Sequence, residues 1–250
     1  MSKLITVWGS PDSGKTTLAV KLAKEIYNHN SSAKVICIFP DLSSPALPVI
    51  FPNKKPGEFY SMGKLLNMAD FTTGDVLSHF VLAKGIKNVV FMGYTLGENK
   101  YTYADYTVDK ATTFLSMCQY LGDYVIVDCS STLDDKISSI AMQNADYCFR
   151  VASPSLKSIS FLASNVKMYT DEKYGFDRHI PILNVTEQDV FMPVDDAANC
   201  LGNIKHTLSF CLDLKKQFYN GELLETLNNK KYQEEIKKIC GEVLNVEQED

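Results

Sequence analysis

Gly9-Ser10-Pro11-Asp12-Ser13-Gly14-Lys15-Thr16 carries the spacing GxxxxGK[ST], that of a loop that wraps a phosphate chain. Glycines let the backbone come close enough for successive N–H groups to converge on the anion, and a helix that follows adds the positive end of its dipole. Lys15 brings a mobile ammonium to the β- and γ-phosphates, while the Thr16 hydroxyl is placed to ligate Mg²⁺. Thr17 is either a donor to the α-phosphate or an ordinary first-turn residue.

Two carboxylates are spaced to act on the same ligand. Asp128 ends the apolar run of residues 124–128. An acidic residue at the carboxyl end of a parallel strand beside such a loop faces the phosphates, where it holds Mg²⁺ or one of its waters. The alternative is a solvated strand-end aspartate. Asp41, in Phe39-Pro40-Asp41-Leu42, follows another apolar run. It either orients a water attacking the γ-phosphate or makes a turn, and position alone leaves both open.

The elements that must position these groups read as alternating strands and helices. Residues 4–8 form a strand entering the loop and residues 17–27 a helix leaving it. Residues 34–39, 88–92, 124–128, 147–151 and 180–185 read as further strands, with helix-like stretches at 73–84 and 107–120. From residue 194 onward the pattern reads as wholly helical. Alternation of this kind predicts an α/β fold, a doubly wound and mostly parallel sheet with helices on both faces. Residues 1–250 are expected to form a single domain, with 194–250 as its helical C-terminal part.

Composition narrows the function classes. The chain is 45% hydrophobic, with a formal net charge of -5, so no global attraction to nucleic acid is expected. Seven cysteines lie scattered, without a CxxC pair, and read as reduced core residues; the four histidines are equally dispersed. Residues 1–3 lead into the first strand with no cationic, apolar leader, and no run approaches ~18 apolar residues. The expectation is a cytoplasmic protein without a transmembrane segment, reaching any membrane machine through a partner.

These motifs resemble those of the MinD/ParA group of P-loop ATPases over residues 3 to about 185. GSPDSGKTT is similar to the group's GKGGVGKTT, and FPDLSSPALPVIF to the segment after its second strand, often DxDxxxxxLxxxF. Asp123-Tyr124-Val125-Ile126-Val127-Asp128 resembles its DYIIVD strand, with residues 129–134 as the γ-phosphate-sensing switch. The stretches around Ser153-Pro154-Ser155 and Ile182-Leu183-Asn184-Val185 are similar to its last two motif strands. The resemblance implies a P-loop NTPase fold, ATP and Mg²⁺ as ligands, and a homodimer. It also implies that Asp41 positions the hydrolytic water and that Asn184 reads the adenine edge, although a strand-end asparagine also suits a turn. No NKxD motif follows a strand, so ATP is expected over GTP.

The departures shape the functional expectation. Ser10 stands where the group carries a signature lysine that reaches the partner's nucleotide, Pro11 replaces a glycine, and Phe39 replaces the first aspartate of DxD. Loss of such a cation is worth on the order of 10³ in rate. The expected protein is therefore a slow or degenerate ATPase. In general run it looks closest to the TadZ/CpaE branch, without a receiver domain, which implies localisation or assembly of a pilus or secretion machine and partners among its components. The alternatives are a small-molecule kinase or ligase of the dethiobiotin synthetase type, with the tyrosine-rich residues 94–106 lining a second-substrate site, and a scaffold that holds nucleotide without hydrolysing it. The C-terminal run Tyr232, Ile236, Ile239, Val243 reads as a packing helix rather than a membrane-targeting one, interrupted at Gly241.

Overall fold

Strands built almost wholly of buried residues, such as VICIF and YVIVD, have no face to give to solvent, so their sheet must be covered on both sides. The computed structural model, which describes residues 2–190 and 192–244, shows this arrangement. In chain order the elements are β1 (Lys3–Gly9), α1 (Lys15–His29), β2 (Val35–Phe39), α2 (Leu47–Ile50), α3 (Met62–Asn67), α4 (Thr73–Ser78), β3 (Val81–Ala83), β4 (Ile86–Gly93), α5 (Val108–Leu121) and β5 (Tyr124–Asp128). There follow α6 (Lys136–Asn144), β6 (Tyr147–Ala152), α7 (Leu156–Tyr169), β7 (Ile180–Asn184), α8 (Val194–Leu201), β8 (His206–Leu208), α9 (Leu212–Asn220) and α10 (Lys230–Leu244).

The sheet runs β3-β4-β2-β5-β1-β6-β7-β8. Every pairing is parallel except β3 with β4. Alternation along β1 divides the core between the two faces. Ile5 and Val7 join Leu22, Ile26, Ile236 and Ile239 beneath α1 and α10. Leu4 and Trp8 join Phe114, Ile140 and Leu162 beneath α5, α6 and α7. Each fully buried side chain of this size contributes roughly 1.5–3 kcal/mol by leaving water.

The connection after β1 runs to β2 on one side of it, whereas the connection after β5 crosses to β6 on the other. A crevice therefore opens at the carboxyl end of β1, where connections diverge. Register fixes what borders it. Val7 lies opposite Asp128 and Gly9 opposite Val151, while the Cys129 N–H donates to the Val7 carbonyl at 2.8 Å. Asp128 is thus held beside the loop that begins at Gly9.

Two expectations need correction. The helix expected over 73–84 ends at Ser78, and residues 81–83 return as an antiparallel edge strand through a two-residue Lys84-Gly85 turn in which Gly85 has φ 83°. A glycine at positive φ closing a two-residue loop is a hairpin signal, and it overrides the short apolar run read as helix. Nor is 194–250 wholly helical: Gly202 (φ 69°) and Asn203 (φ 37°) turn the chain after α8 so that β8 extends the sheet beside β7. α10 continues through Gly241 and buries Tyr232, Ile236, Ile239, Cys240 and Val243, as a packing helix should. Of the seven cysteines, all free, only Cys200 is exposed. No helix among the described residues is long and apolar enough to cross a membrane.

Candidate functional site

The loop between β1 and α1 needs its glycines for steric reasons. Gly9 has φ 147°, and a Cβ there would lie 1.9 Å from the Val151 carbonyl oxygen of the neighbouring strand. Gly14, which caps α1 in the left-handed region at φ 86°, would place a Cβ 2.4 Å from Asn184 Nδ2. Asp12 also takes a positive φ of 58° and pairs with Lys157 of α7 at 2.9 Å, an exposed contact. The loop closes on itself through Ser13 Oγ, which donates to the Ser10 carbonyl at 2.7 Å. Beyond it, the first-turn N–H groups of α1 have no intrahelical acceptors and face a cavity of about 640 Å³ that Gly14, Lys15, Thr16 and Thr17 help to line.

Lys15 bridges the loop and the segment after β5. Its ammonium donates to the Ser10 carbonyl at 3.1 Å and to Ser131 Oγ at 2.8 Å. Burial lowers its pKa, opposed by the charges of Asp128 and Asp41. Thr16 Oγ1 donates to Asp128 Oδ2 at 2.5 Å. Burial pushes the Asp128 carboxyl up to about 6, against the pull of Lys15 and Thr16, and its Oδ1 has no hydrogen-bond partner although it is buried. A buried carboxylate oxygen without a donor, beside a threonine hydroxyl and a phosphate-type loop, fits the oxygen-rich shell of Mg²⁺ or of its water ligand. Asp128 and Thr16 would hold the ion. No group of three or more His, Cys, Asp or Glu residues able to hold a metal occurs among the described residues, so the ligand's phosphates and water would complete its shell.

Asp41 lines the same cavity and has its Oδ1 engaged in a turn, accepting from Ser43 N at 2.9 Å, Ser43 Oγ at 2.5 Å and Ser44 N at 3.3 Å. Turn-making and cavity-facing are therefore both true of it. Phe39, in place of an acid, is buried in the core and stacks on Phe91 with centroids 6.3 Å apart. Asn184, also buried, donates from Nδ2 to the Ser13 carbonyl at 2.8 Å, which braces the loop from the β7 side.

Ser10 is placed differently from its neighbours. It is fully buried, and its hydroxyl meets Ser158 Oγ of α7 at 2.6 Å, so its side chain faces the protein while its carbonyl serves Lys15 and Ser13. Pro11 and Asp12 line the cavity rim. Ser131 lies in the 129–134 segment expected to be a switch, whereas Ser158 and the far wall of the cavity, formed by Phe210, Leu214 and Phe218, carry no local pattern that marks them. The tyrosine-rich segment 94–106 does not line the cavity. Instead Tyr106 donates to Asp135 at 3.2 Å, Asp105 pairs with Lys136 at 2.5 Å, and Glu98 accepts from Tyr103 and Ser61, which pins the segment to the starts of α6 and α3. That placement leaves the kinase or ligase reading without the second-substrate lining that these tyrosines offered it.

No protein-family model matches the chain, and a search of curated proteins finds no significant match by sequence. Solved structures do match. A ParA family ATPase from Chlorobium tepidum superposes with a TM-score of 0.76 at 14% identity, covering 96% of this chain and 98% of that one. The MinD cell division protein of Aquifex aeolicus gives 0.72 at 18%, covering 98% of each. The septum site-determining protein MinD from Pyrococcus horikoshii, complexed with Mg-ADP, gives 0.73 at 15%, covering 97% and 96%. The chain has the MinD/ParA ATPase fold. With both chains covered almost end to end, the MinD/ParA-like architecture extends through the C-terminal helices and is not confined to the motif region.

Proposed function

We propose that this MinD/ParA-like chain binds Mg-ATP in the cavity at the carboxyl end of β1 and turns it over slowly, as a localisation or assembly ATPase. The observation that carries the reading is the Lys15–Thr16–Asp128 constellation, with its orphaned Oδ1, at the mouth of a loop whose N–H groups face a cavity. Gly9 to Thr17 cradle the phosphates, Lys15 meets the β- and γ-phosphates, Asp41 orients the attacking water, and Asn184 and the far wall receive adenine. Mg²⁺, when bound, neutralises phosphate charge. That the Pyrococcus horikoshii MinD was solved with Mg-ADP supports this choice of ligand.

Slow turnover follows from charge. The cavity lining holds Lys15 and Lys215 against Asp12, Asp41, Asp128 and Glu187, and neither arginine of the chain, Arg150 or Arg178, belongs to it. With Ser10 turned into the protein, the loop presents no second cation to a transition state in which charge spreads over the γ-phosphoryl oxygens. We place the chain with the TadZ/CpaE branch, working as a homodimer at a pilus or secretion machine in the cytoplasm, on the residue at position 10 and the look of the sequence. The test is ATP hydrolysis at rising protein concentration, with and without components of such a machine. Expected is a basal rate of roughly 10⁻² s⁻¹ or below, raised by the components and abolished by Lys15→Ala. Fast turnover that requires a small metabolite would overturn it.

A further inference from the structure

α9 borders the cavity through Leu214 and Phe218, yet it is poorly equipped to stay there. The one buried residue of this helix is Gln217; Leu212, Phe218 and Tyr219 are all exposed, and α9 touches neighbouring helices and strands only sparsely. Of its apolar side chains Leu214 alone packs, partly buried, against the core, so hydrophobic burial holds the helix at one point only. What meets Gln217 is Lys21, on α1, six residues beyond Lys15. Lys21 is 95% buried, being 5% exposed, and its ammonium donates to Gln217 Oε1 at 2.7 Å, the Leu223 carbonyl at 2.6 Å and the Glu225 carbonyl at 3.1 Å. Three acceptors match the three donors of an ammonium. One turn on, Lys24 donates to the Leu224 carbonyl and to Thr226 Oγ1 at 3.2 Å, while Gln217 Nε2 donates to the Thr226 carbonyl at 3.2 Å. Burial lowers the pKa of Lys21 to about 7, Lys24 adding to the shift and Cys211 and Glu225 opposing it; even a neutral amine would keep two of the three bonds.

We propose that Lys21 is a positioning residue for the nucleotide: through Gln217 and the turn after α9 it latches the far wall of the cavity to the helix that carries the phosphate loop. The inference rests on the Mg-ATP reading for the identity of the ligand. The wall begins at Phe210, just past β8 and three strands from β1, or about 14 Å at the usual strand spacing, so that end meets the base and ribose of a nucleotide whose phosphates sit at the loop; α9 then runs back towards α1, and a Cβ on Gly221 after it would lie 2.0 Å from Pro52 Cγ. By fixing the far end of α9 against α1, the latch sets where Phe210 and Leu214 stand, and so the grip on the base, and leaves the grip on the phosphates to Lys15, Thr16 and the loop amides.

The test compares Mg-ATP with inorganic tripolyphosphate, which lacks the base, on the full chain, on Lys21→Met and on the milder Gln217→Leu. Hydrogen exchange of residues 212–226 is measured in parallel without ligand. Expected are a loss of about tenfold or more in ATP affinity for Lys21→Met, a smaller loss for Gln217→Leu, tripolyphosphate affinity within about twofold of the unmutated chain, and faster exchange confined to 212–226. Equal losses for both ligands, or no loss for either, overturn the latch. So does unchanged exchange at 212–226 in the variants. Should Lys21→Met fail to fold, Gln217→Leu decides by the same criteria. If the unmutated chain binds neither ligand, the Mg-ATP reading falls, and the exchange of 212–226 alone still decides whether Lys21 holds the wall.

Discussion

Replacing Asp128 by asparagine should make the ligand-free protein more stable and its metal site worse. The carboxyl is driven up to about 6 from 3.8, chiefly by burial, so holding it ionised at pH 7.5 costs about 3 kcal/mol at 1.36 kcal/mol per unit. Asparagine removes that cost and keeps an oxygen for the Thr16 hydroxyl, but it places an amide where Oδ1 now lies without a partner, which costs about 1 kcal/mol. The net gain is about 2 kcal/mol, or roughly 4–8 °C in melting temperature for a chain of this size. The folded pKa lies above the unfolded one. The wild-type contribution is therefore full below about 3.8 and is lost as pH rises through about 6, so the advantage of the variant should be small at pH 4.5 and complete by pH 7.5. Thermal unfolding in a chelator at the two pH values measures it, and repetition with Mg-ATP should show the variant gaining less than the wild type. A variant less stable than wild type at pH 7.5, or one equally advantaged at pH 4.5, would refute the reasoning.

Other substitutions separate packing from binding. Gly9→Ala, whose Cβ meets a strand carbonyl, should cost more than about 4 kcal/mol or abolish folding, whereas Gly14→Ala, which meets a movable Asn184 amide, should cost about 1–2 kcal/mol and still lose nucleotide; urea titrations rank the two. His179 accepts from Trp8 Nε1 at 3.1 Å and, buried, is held down to about 4. Its contribution of about 3 kcal/mol is present above pH 6.5 and lost as pH falls through 4, and His179→Gln should flatten that slope in unfolding measured from pH 4 to 7. If Asn184 reads the base, ATP should displace a fluorescent nucleotide better than GTP does; equal displacement removes Asn184 from that role.

What the sequence made legible was local. Gly9 to Thr16 and the run ending at Asp128 announce their chemistry because loop, helix start and strand end are adjacent in the chain, and buried parallel strands betray themselves by unbroken β-branched runs. What stayed hidden depends on partners far away: Lys15 meets Ser131 across 116 residues, Ser10 meets Ser158 across 148 and Lys21 meets Gln217 across 196. Short strands were lost as well. β3 and β8 have three residues each, too few for an alternation to stand out from neighbouring helix-like sequence, and only the glycine turns before or after them mark the reversal. The sense of Ser10 changed most. Read as an uncharged residue in the place of a signature lysine, it proves to be a buried strut between the loop and α7.

Calorimetric titration of the full chain with Mg-ATP tests the central claim most directly. Expected is saturable binding at one site per chain that weakens when Mg²⁺ is chelated and disappears in Lys15→Ala, a variant that leaves the Thr16–Asp128 pair intact. Absence of binding, or binding that Lys15→Ala leaves unchanged, would contradict it.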